Sequence, residues 1–194
     1  MERQYPGIQI EHAIISRLNL KKAEGYTDKF DAFSNVDSTP FQIKSKKVKK
    51  LSFNKKVKIE FGGFDRLKKT ENFVVIIENY QMVNNSVFEI DSFEFLVDYK
   101  KWNALIDDDA ISLLHKSNVF DGISNDHSDD AIWKKRRSSL KKEYIKNYPA
   151  MAQYFMPRFK RDHKNQKRVQ VGVPMDLLKT LSIKTNYNSI NKTI

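Results

Sequence analysis

The chain has 194 residues, of which 35 are Lys or Arg and 24 are Asp or Glu, so its formal net charge is +11 at pH 7. It contains no cysteine, which excludes a disulfide framework, a thiolate nucleophile and a cysteine zinc site. No run of about 18 apolar residues and no secretory signal is present, so we expect a cytoplasmic protein that does not span a membrane. A chain of this length can bury a hydrophobic core, and a positive charge of this size attracts polyanions, above all nucleic acid.

The hydrophobic pattern at the start of the chain predicts an amphipathic helix over about residues 8–20. Ile10, Ile14 and Leu18 recur every four residues and form one apolar stripe. Glu11 lies beside that stripe, which places a carboxylate next to the buried side of the predicted helix.

A β-hairpin is predicted to follow the helix. Apolar and polar residues alternate over residues 29–33 and again over residues 41–45, and residues 35–39 between them are rich in turn formers. We therefore expect two antiparallel strands joined by a tight turn.

The next segments predict the rest of a sheet. Residues 57–61 alternate like a strand, and a short helical piece is expected over residues 64–69. The apolar, β-branched run at residues 73–77 is typical of a strand that is covered on both faces, so it is predicted to lie at the centre of the sheet. Residues 87–90 and 93–97 are further strand candidates, the second of them also a possible helix.

The second half of the chain is predicted to be mostly helical. A helix is expected over residues 102–106, and a basic helix over about residues 131–148 with Ile132, Trp133, Leu140, Tyr144 and Ile145 as its apolar residues. Residues 148–161 mix aromatic residues with arginine, which suits base stacking, a small hydrophobic subdomain or a dimer surface equally well. Residues 186–194 are rich in Asn, Ser and Thr and are expected to fray.

The basic residues are concentrated in two segments. Eight lysines and no acidic residue lie between positions 44 and 58, and a second basic segment runs from residue 133 to 168. Seven aspartates between residues 104 and 130 would repel a phosphate backbone or cap helices. A lysine-rich composition alone would not separate the charges in this way. The residues predicted to contact DNA are Lys46, Lys47, Lys49, Lys50, Lys134, Lys135, Arg136, Arg137, Arg158, Lys160 and Arg161.

The predicted hairpin carries three polar residues whose chemistry suits phosphodiester hydrolysis. Asp31 opens the first strand, and Gln42 and Lys44 lie two residues apart on the second, so the strand period places them on one face. A carboxylate, an amide oxygen and the Ile43 carbonyl can hold a hard divalent cation such as Mg²⁺. Lys44 can orient or deprotonate a water molecule or offset negative charge that develops on the phosphate.

In these residues the sequence resembles the PD-(D/E)XK superfamily, the restriction-endonuclease-like nucleases, over roughly residues 7–97. The resemblance rests on Asp31, on Gln42-Ile43-Lys44 and on the preceding helix with Glu11. It implies that Glu11 completes the metal site and that a further strand, a helix and a central strand follow the hairpin over residues 57–77. The sequence departs from the family pattern because Gln42 stands where that pattern has Asp or Glu, and Phe30 where it has Pro.

These observations predict an α/β protein with a restriction-endonuclease-like core, a central mixed β-sheet flanked by helices. We expect the nuclease core over residues 1–106 and a basic, mostly helical part of the same domain over residues 107–194. The predicted function is Mg²⁺-dependent cleavage of double-stranded DNA, as by a type II restriction endonuclease acting as a homodimer on a palindrome. The alternatives are a noncatalytic nucleic-acid-binding protein on the same fold and an interaction protein whose lysines only cover its surface.

Overall fold

The computed structural model describes residues 5–24, 30–48, 58–63, 66–115, 119–123, 128–161 and 167–194. In chain order its elements are α1 (Tyr5–Arg17), β1 (Leu20–Lys22), β2 (Ala32–Ser34), β3 (Pro40–Lys47), β4 (Lys58–Gly63), β5 (Phe73–Val83), β6 (Ser86–Val97), α2 (Tyr99–Asn103), α3 (Asp108–His115), α4 (Asp130–Asn147), α5 (Pro149–Ala152), β7 (Met156–Arg161), β8 (Lys167–Pro174), α6 (Met175–Leu181) and β9 (Ser182–Thr193). No helix among these described segments has the length and apolar character needed to cross a membrane.

The chain divides into two compact units. Unit 1 comprises Met1–Lys55, Thr70–Tyr99 and Leu178–Ile194, and unit 2 comprises Lys56–Lys69 and Lys100–Leu177. These bounds differ from the predicted division at residue 106, because each unit is assembled from separate stretches of the chain. Composition along the chain gives no sign of such an interleaved arrangement.

Unit 1 is built on a mixed six-stranded sheet in the order β1-β2-β3-β5-β6-β9. β3 and β5 run parallel, and the other neighbouring strands run antiparallel. Ile10 and Ile14 of α1 are fully buried and pack with Ile43 and Ile76 of the sheet, which defines the α1 face. The α/β class, the mixed sheet and the predicted hairpin are thereby confirmed.

The apolar run at residues 73–77 forms the first half of β5, and all five side chains are buried. β5 lies between β3 and β6, so its predicted position inside the sheet is confirmed. Residues 87–90 and 93–97 belong to one long strand, β6, rather than to two elements. The turn between β5 and β6 consists of Asn84 and Asn85, whose φ angles of 49° and 64° are those that a two-residue hairpin turn requires.

The end of the chain contradicts the prediction that residues 186–194 fray. Residues 186–193 belong to β9, which pairs antiparallel with β6 along most of its length, and the Ile194 N–H donates to the Val87 carbonyl at 2.9 Å. The Asn- and Ser-rich composition reflects exposure at the edge of the sheet, where polar side chains are compatible with a strand. The backbone hydrogen bonds between β9 and β6 outweigh the preference of Asn and Ser for turns.

The predicted first helix is shifted toward the start of the chain. α1 ends at Arg17, so Leu18 lies beyond the helix and is 41% exposed, contrary to its expected place in the buried stripe. Ile10 and Ile14 occupy that stripe as predicted.

A buried cluster of charged residues joins α1 to the sheet. Glu78 of β5 and Glu89 of β6 are both fully buried, and Arg17 contacts their carboxylates at 2.6 and 3.3 Å. Lys192 of β9 lies 3.5 Å from Glu89. The two carboxylates are fully buried, whereas the side chains of Arg17 and Lys192 are 28% and 47% exposed. A proton on one carboxylate therefore reduces the cost of holding two like charges together away from water.

The pKa of Glu78 predicts how stability depends on pH. Burial and the neighbouring Glu89 carboxylate raise this pKa to about 8, although Arg17 acts in the opposite direction. The folded state therefore binds a proton that the unfolded state has released, and the free energy of unfolding falls as pH rises from about 4.5 toward about 8. The slope for one proton is at most about 1.4 kcal/mol per pH unit. Urea unfolding across this range should show the decline in the wild type and a flatter profile for Glu78→Gln; equal slopes would contradict it.

Unit 2 contains a three-stranded antiparallel sheet in the order β4-β8-β7. Residues 57–61 were predicted to continue the sheet of the hairpin, and this is wrong for the described residues 58–61, which pair with β8 instead. Of the predicted helical piece at residues 64–69, residues 64–65 lie outside the described residues and residues 67–69 form no helix. The alternation of residues 58–61 indicates a strand but not its partner, which is over 100 residues away.

The core of unit 2 is aromatic. Trp102 of α2 is fully buried, donates its indole N–H to the Leu67 carbonyl at 2.8 Å and packs edge-on against Phe155. Met151 and Phe155 are buried as well, so residues 148–161 contribute to a hydrophobic core, one of the alternatives that the sequence left open. The helix predicted at residues 102–106 lies instead at Tyr99–Asn103.

The basic helix α4 is confirmed, but only part of its predicted apolar set is buried. Leu140 and Tyr144 are buried, and the Tyr144 hydroxyl donates to the Phe155 carbonyl at 2.5 Å. Ile132 and Ile145 are 50% and 42% exposed, because they lie on other sides of the helix. The description of residues 107–194 as mostly helical is wrong, since β7, β8 and β9 lie there too.

Candidate functional site

The Asp31 carboxylate is the centre of a polar cluster in unit 1. Asp31 immediately precedes β2, and its backbone N–H donates to the Phe41 carbonyl at 2.9 Å, which fixes it beside β3. Its Oδ2 atom accepts hydrogen bonds from the Ile43 backbone N–H at 2.6 Å and from Gln42 Nε2. Lys44 Nζ lies 3.3 Å from the same oxygen. The structure thus brings Asp31, Gln42, Ile43 and Lys44 together.

The alternation of β3 explains this arrangement. Phe41 and Ile43 belong to the hydrophobic cluster on the α1 face. Gln42 and Lys44 point to the opposite side, which we call the Lys44 face. Among the residues of β3, Pro40 and Phe41 are the register partners of β2 in the described chain. The Ile43 N–H lies beyond this pairing and donates to the Asp31 carboxylate instead of to a strand neighbour.

The site is partly open to solvent. The side chains of Asp31 and Lys44 are each 26% exposed, whereas Gln42 is buried at 7%. A small ion or a phosphate oxygen can therefore approach the ion pair from outside, while the amide is held in place by its neighbours. Partial desolvation also strengthens the attraction between the Asp31 carboxylate and the Lys44 ammonium relative to a fully exposed pair.

The oxygen atoms at the site suit a hard cation such as Mg²⁺. Asp31 Oδ1 and Gln42 Oε1 accept no hydrogen bond from the described residues. In an extended strand the N–H and C=O of one residue point to the same neighbour, so the Ile43 carbonyl is directed to the side of Asp31. A carboxylate and two neutral oxygens fit Mg²⁺, with water and phosphate oxygens as further ligands. Within the described residues, no three or more His, Cys, Asp or Glu side chains gather as a metal site. Among Asp31, Gln42, Ile43 and Lys44, Asp31 is the residue that offers an anionic oxygen.

Glu11 is not among the contacts of the Asp31 carboxylate. Its Oε1 atom lies 3.7 Å from Lys22 Nζ, and its side chain is 30% exposed. Lys22 also lies 2.9 Å from His12 Nε2. Glu11 therefore has its ionic partner on β1, and in the part of the chain that the structure describes it makes no hydrogen bond or ion pair with Asp31, Gln42 or Lys44.

The predicted DNA-contacting lysines of β3 divide between the two faces of the sheet. Lys46 follows Lys44 on the Lys44 face, and Lys47 is exposed on the opposite side. Lys49 and Lys50 lie outside the described residues. Among the described lysines of the first basic segment, Lys46 therefore lies beside Lys44 on the same face.

The four basic residues predicted on α4 differ in their surroundings. Lys134 and Lys135 are exposed. Arg136 donates to the Asp121 carbonyl at 2.5 Å, and the guanidinium of Arg137 lies 4.5 Å from the centre of the Trp133 ring. The ammonium groups of the two lysines can replace bound water with a DNA phosphate without breaking a hydrogen bond or ion pair in the described part of the protein. The two arginines would first have to leave their partners in the protein.

Arg158 and Lys160 of β7 both bind Glu60 of β4. The distances from their nitrogen atoms to the Glu60 carboxylate are 2.8 and 2.7 Å. The side chain of Arg161 lies outside the described residues. Glu60 was not singled out from the sequence, although an acidic residue in the alternation Lys58-Ile-Glu-Phe61 predicts a charged face that needs a basic partner.

A second polar group on the Lys44 face was also missed. Asn79 is the register partner of Lys46, and its Nδ2 atom donates to Asp91 Oδ1 at 2.7 Å. Asp91 is only 2% exposed, and the Tyr187 hydroxyl lies 3.5 Å from its other oxygen. The signal in the sequence is that Asp91 is an acidic residue between apolar residues of two predicted strands. A carboxylate buried in this way requires hydrogen-bond partners.

No family model matches the chain, and no curated protein is similar to it at a significant level.

Proposed function

We propose that the chain is a Mg²⁺-dependent endonuclease that hydrolyses phosphodiester bonds in double-stranded DNA. The observation that carries this proposal is the meeting of Asp31, Gln42 and Lys44 on one side of β3, with Lys44 Nζ 3.3 Å from the Asp31 carboxylate. A carboxylate, an oxygen-bearing amide and an ammonium within one hydrogen-bonded cluster are the groups that metal-assisted phosphodiester hydrolysis uses.

The strand order supports the restriction-endonuclease-like class. α1 is followed by the antiparallel strands β1, β2 and β3, and β5 then runs parallel to β3. The resemblance in sequence implies this succession of a helix, a hairpin and a central strand. The segment between β3 and β5 departs from the expectation, because β4 pairs with β8.

Each residue of the cluster has a distinct part in the proposed reaction. A bound Mg²⁺ would polarise the scissile phosphate and lower the pKa of a coordinated water. Asp31 supplies the anionic oxygen that holds the cation, and Gln42 and the Ile43 carbonyl supply neutral ones. Lys44 donates to a phosphate oxygen or to the attacking water and offsets the negative charge of the transition state. Asp31 also fixes the Lys44 ammonium at the site.

DNA is the proposed substrate because of the charge of the chain. A net charge of +11 and exposed lysines such as Lys134 and Lys135 favour contacts with the phosphate backbone. We propose type II restriction as the biological setting. If the target is a palindrome, a homodimer places one site on each strand.

One observation favours a second candidate, a noncatalytic nucleic-acid-binding protein. A single oxygen of Asp31 already accepts hydrogen bonds from Gln42 and the Ile43 N–H and contacts Lys44. In that state the carboxylate acts as a structural bridge between the end of β2 and β3. On this alternative the chain binds DNA without cutting it.

A plasmid assay tests the proposal. Purified protein is incubated with supercoiled plasmid in MgCl₂ or in EDTA, at about 100 mM salt so that phosphate contacts persist. We expect nicked or linear product only with Mg²⁺. Intact plasmid under conditions where a gel-shift assay shows binding would favour the noncatalytic alternative, and the absence of both cleavage and binding would exclude both candidates.

A further inference from the structure

The three-stranded sheet of unit 2 has one apolar face and one polar face. Ile59, Phe61, Val171 and Val173 are buried on the apolar face. The polar face carries Glu60, Arg158, Lys160 and Arg168, because the register places Glu60 opposite Gly172, Arg158 opposite Gln170 and Lys160 opposite Arg168. Among the side chains that the structure describes, Arg158, Lys160 and Arg168 thus accompany the Glu60 carboxylate on a single surface.

Glu60 reaches its two partners across the middle strand. Its Oε1 atom binds Arg158 and its Oε2 atom binds Lys160, so both oxygens of the carboxylate are engaged by cations from the far strand. Gly172 lies between them, and a Cβ atom there would come within 3.0 Å of Arg158 Nε. The missing side chain at position 172 allows the arginine to lie across β8 toward Glu60.

This arrangement matches the way proteins bind a phosphodiester. Arginine and lysine hold a carboxylate and a phosphate oxygen with the same charge-assisted hydrogen bonds. The side chains of Arg158, Lys160 and Glu60 are 43%, 41% and 32% exposed, so the site is accessible. Ion pairs with this exposure contribute little to stability, which means that the two cations can change partners readily.

We propose that Arg158 and Lys160 form a binding site for the phosphates of a nucleic acid backbone, and that the Glu60 carboxylate occupies this site in the free protein as an intramolecular competitor. The proposal rests on the proposed function only for the identity of the ligand, since the site lies in unit 2 and involves none of the cluster around Asp31. A backbone phosphate must displace the Glu60 carboxylate before it can contact Arg158 and Lys160. Glu60 therefore lowers the affinity of this site for DNA and so limits nonspecific binding.

The ionisation of Glu60 is consistent with this competition. Partial burial acts to raise its pKa, but Lys160 and Arg158 outweigh that effect and hold the pKa below its usual value. The carboxylate therefore stays charged at neutral pH and competes with phosphate throughout the range in which the protein would meet DNA.

The test is a titration of a short fluorescent DNA duplex against salt, in EDTA so that no cleavage occurs. We expect Glu60→Gln to bind about threefold to tenfold more tightly than the wild type and to steepen the dependence of log K on log salt by about one unit for each additional phosphate that the protein neutralises. Glu71→Gln is the matched control, because Glu71 is exposed and has no ion pair within the described residues. We expect it to change the affinity by less than about twofold.

The triple change Glu60→Gln, Arg158→Gln and Lys160→Gln completes the design. If the proposal is right, removing both cations abolishes the increase in affinity that Glu60→Gln produces. Equal effects of Glu60→Gln and Glu71→Gln, an increase that persists without the two cations, or no DNA binding by any variant would overturn it. Plasmid cleavage in Mg²⁺ is scored separately, so loss of the nuclease assignment and loss of this proposal are distinguishable.

Discussion

Lys44→Ala is expected to lower the rate of plasmid cleavage by about a hundredfold to a thousandfold, while duplex binding in EDTA changes by less than about threefold. Removing one group that stabilises the charge of a phosphoryl or acyl transition state typically has an effect of this order. Lys44 is suited to that role because its ammonium lies 3.3 Å from the Asp31 carboxylate on an accessible part of the sheet. The measurement is the initial rate of nicking at saturating Mg²⁺.

Lys46→Ala is the matched control for this prediction. Lys46 lies two residues further along β3 on the same face, so both variants remove the same charge from the same strand. We expect Lys46→Ala to weaken binding slightly and to retain cleavage. Similar losses in the two variants would mean that charge on this face, and not the position of Lys44, accounts for the effect.

Asp31 calls for a different substitution. Asp31→Ala removes the acceptor of the Ile43 N–H, so loss of activity in that variant would be confounded with local unfolding. Asp31→Asn keeps an oxygen acceptor and removes the charge. We expect it to fold and to lose Mg²⁺-dependent cleavage as completely as Lys44→Ala does.

Arg17→Met is expected to reduce the free energy of unfolding by about 3 kcal/mol or more. Removing one partner of a buried ion pair leaves the other charge without compensation, and breaking such pairs typically destabilises a protein by about 3 to 5 kcal/mol. Here two fully buried carboxylates, Glu78 and Glu89, lose their shared arginine. Urea unfolding followed by circular dichroism measures the change.

Lys192→Met is the control for Arg17→Met. Lys192 lies 3.5 Å from Glu89, but its side chain is 47% exposed, so we expect a loss of less than about 1 kcal/mol. The triple variant Arg17→Met, Glu78→Gln and Glu89→Gln should recover much of the stability, because no buried charge remains. A loss below about 1 kcal/mol for Arg17→Met would show that this cluster does not bind α1 to the sheet as described.

The hairpin could be predicted from the sequence because the patterns that specify its strands and its turn lie within one short stretch of the chain. Residues 41–45 alternate and residues 35–39 form turns, so the side of β3 on which Gln42 and Lys44 lie follows from the strand period. The central strand β5 could be predicted for a similar reason, since a short apolar run of β-branched residues suits a position between two other strands.

The partners of β4 and β9 could not be predicted in this way. β4 pairs with β8 and β9 pairs with β6, and each pairing joins segments that are far apart in sequence. Alternation identifies a strand but carries no information about which edge it joins. For β9 the polar composition also favoured the prediction of a frayed end, because exposed edge strands and loops are both rich in polar residues.

The candidate site was predictable in part. The contacts of Gln42 and Lys44 with Asp31 follow from the hairpin, whereas the position of Glu11 depends on how α1 packs and where its side chain finds a cation. Glu60 and the pair Glu78 and Glu89 were missed because their partners come from distant strands or from α1. A charged residue inside a strand pattern signals that a partner exists but does not identify it.

The effect of Mg²⁺ on the thermal stability of Gln42→Glu is the most direct test of the central claim that Asp31, Gln42 and Lys44 form a cation site. The substitution places a second carboxylate beside Asp31 where Gln42 is 7% exposed, so the metal-free variant should be less stable than the wild type. Mg²⁺ should then raise the Tm of Gln42→Glu more than that of the wild type, since a second anionic ligand strengthens binding to the folded state. A destabilised variant whose Tm is the same with and without Mg²⁺ would contradict the claim and leave Asp31 as a structural bridge between two strands.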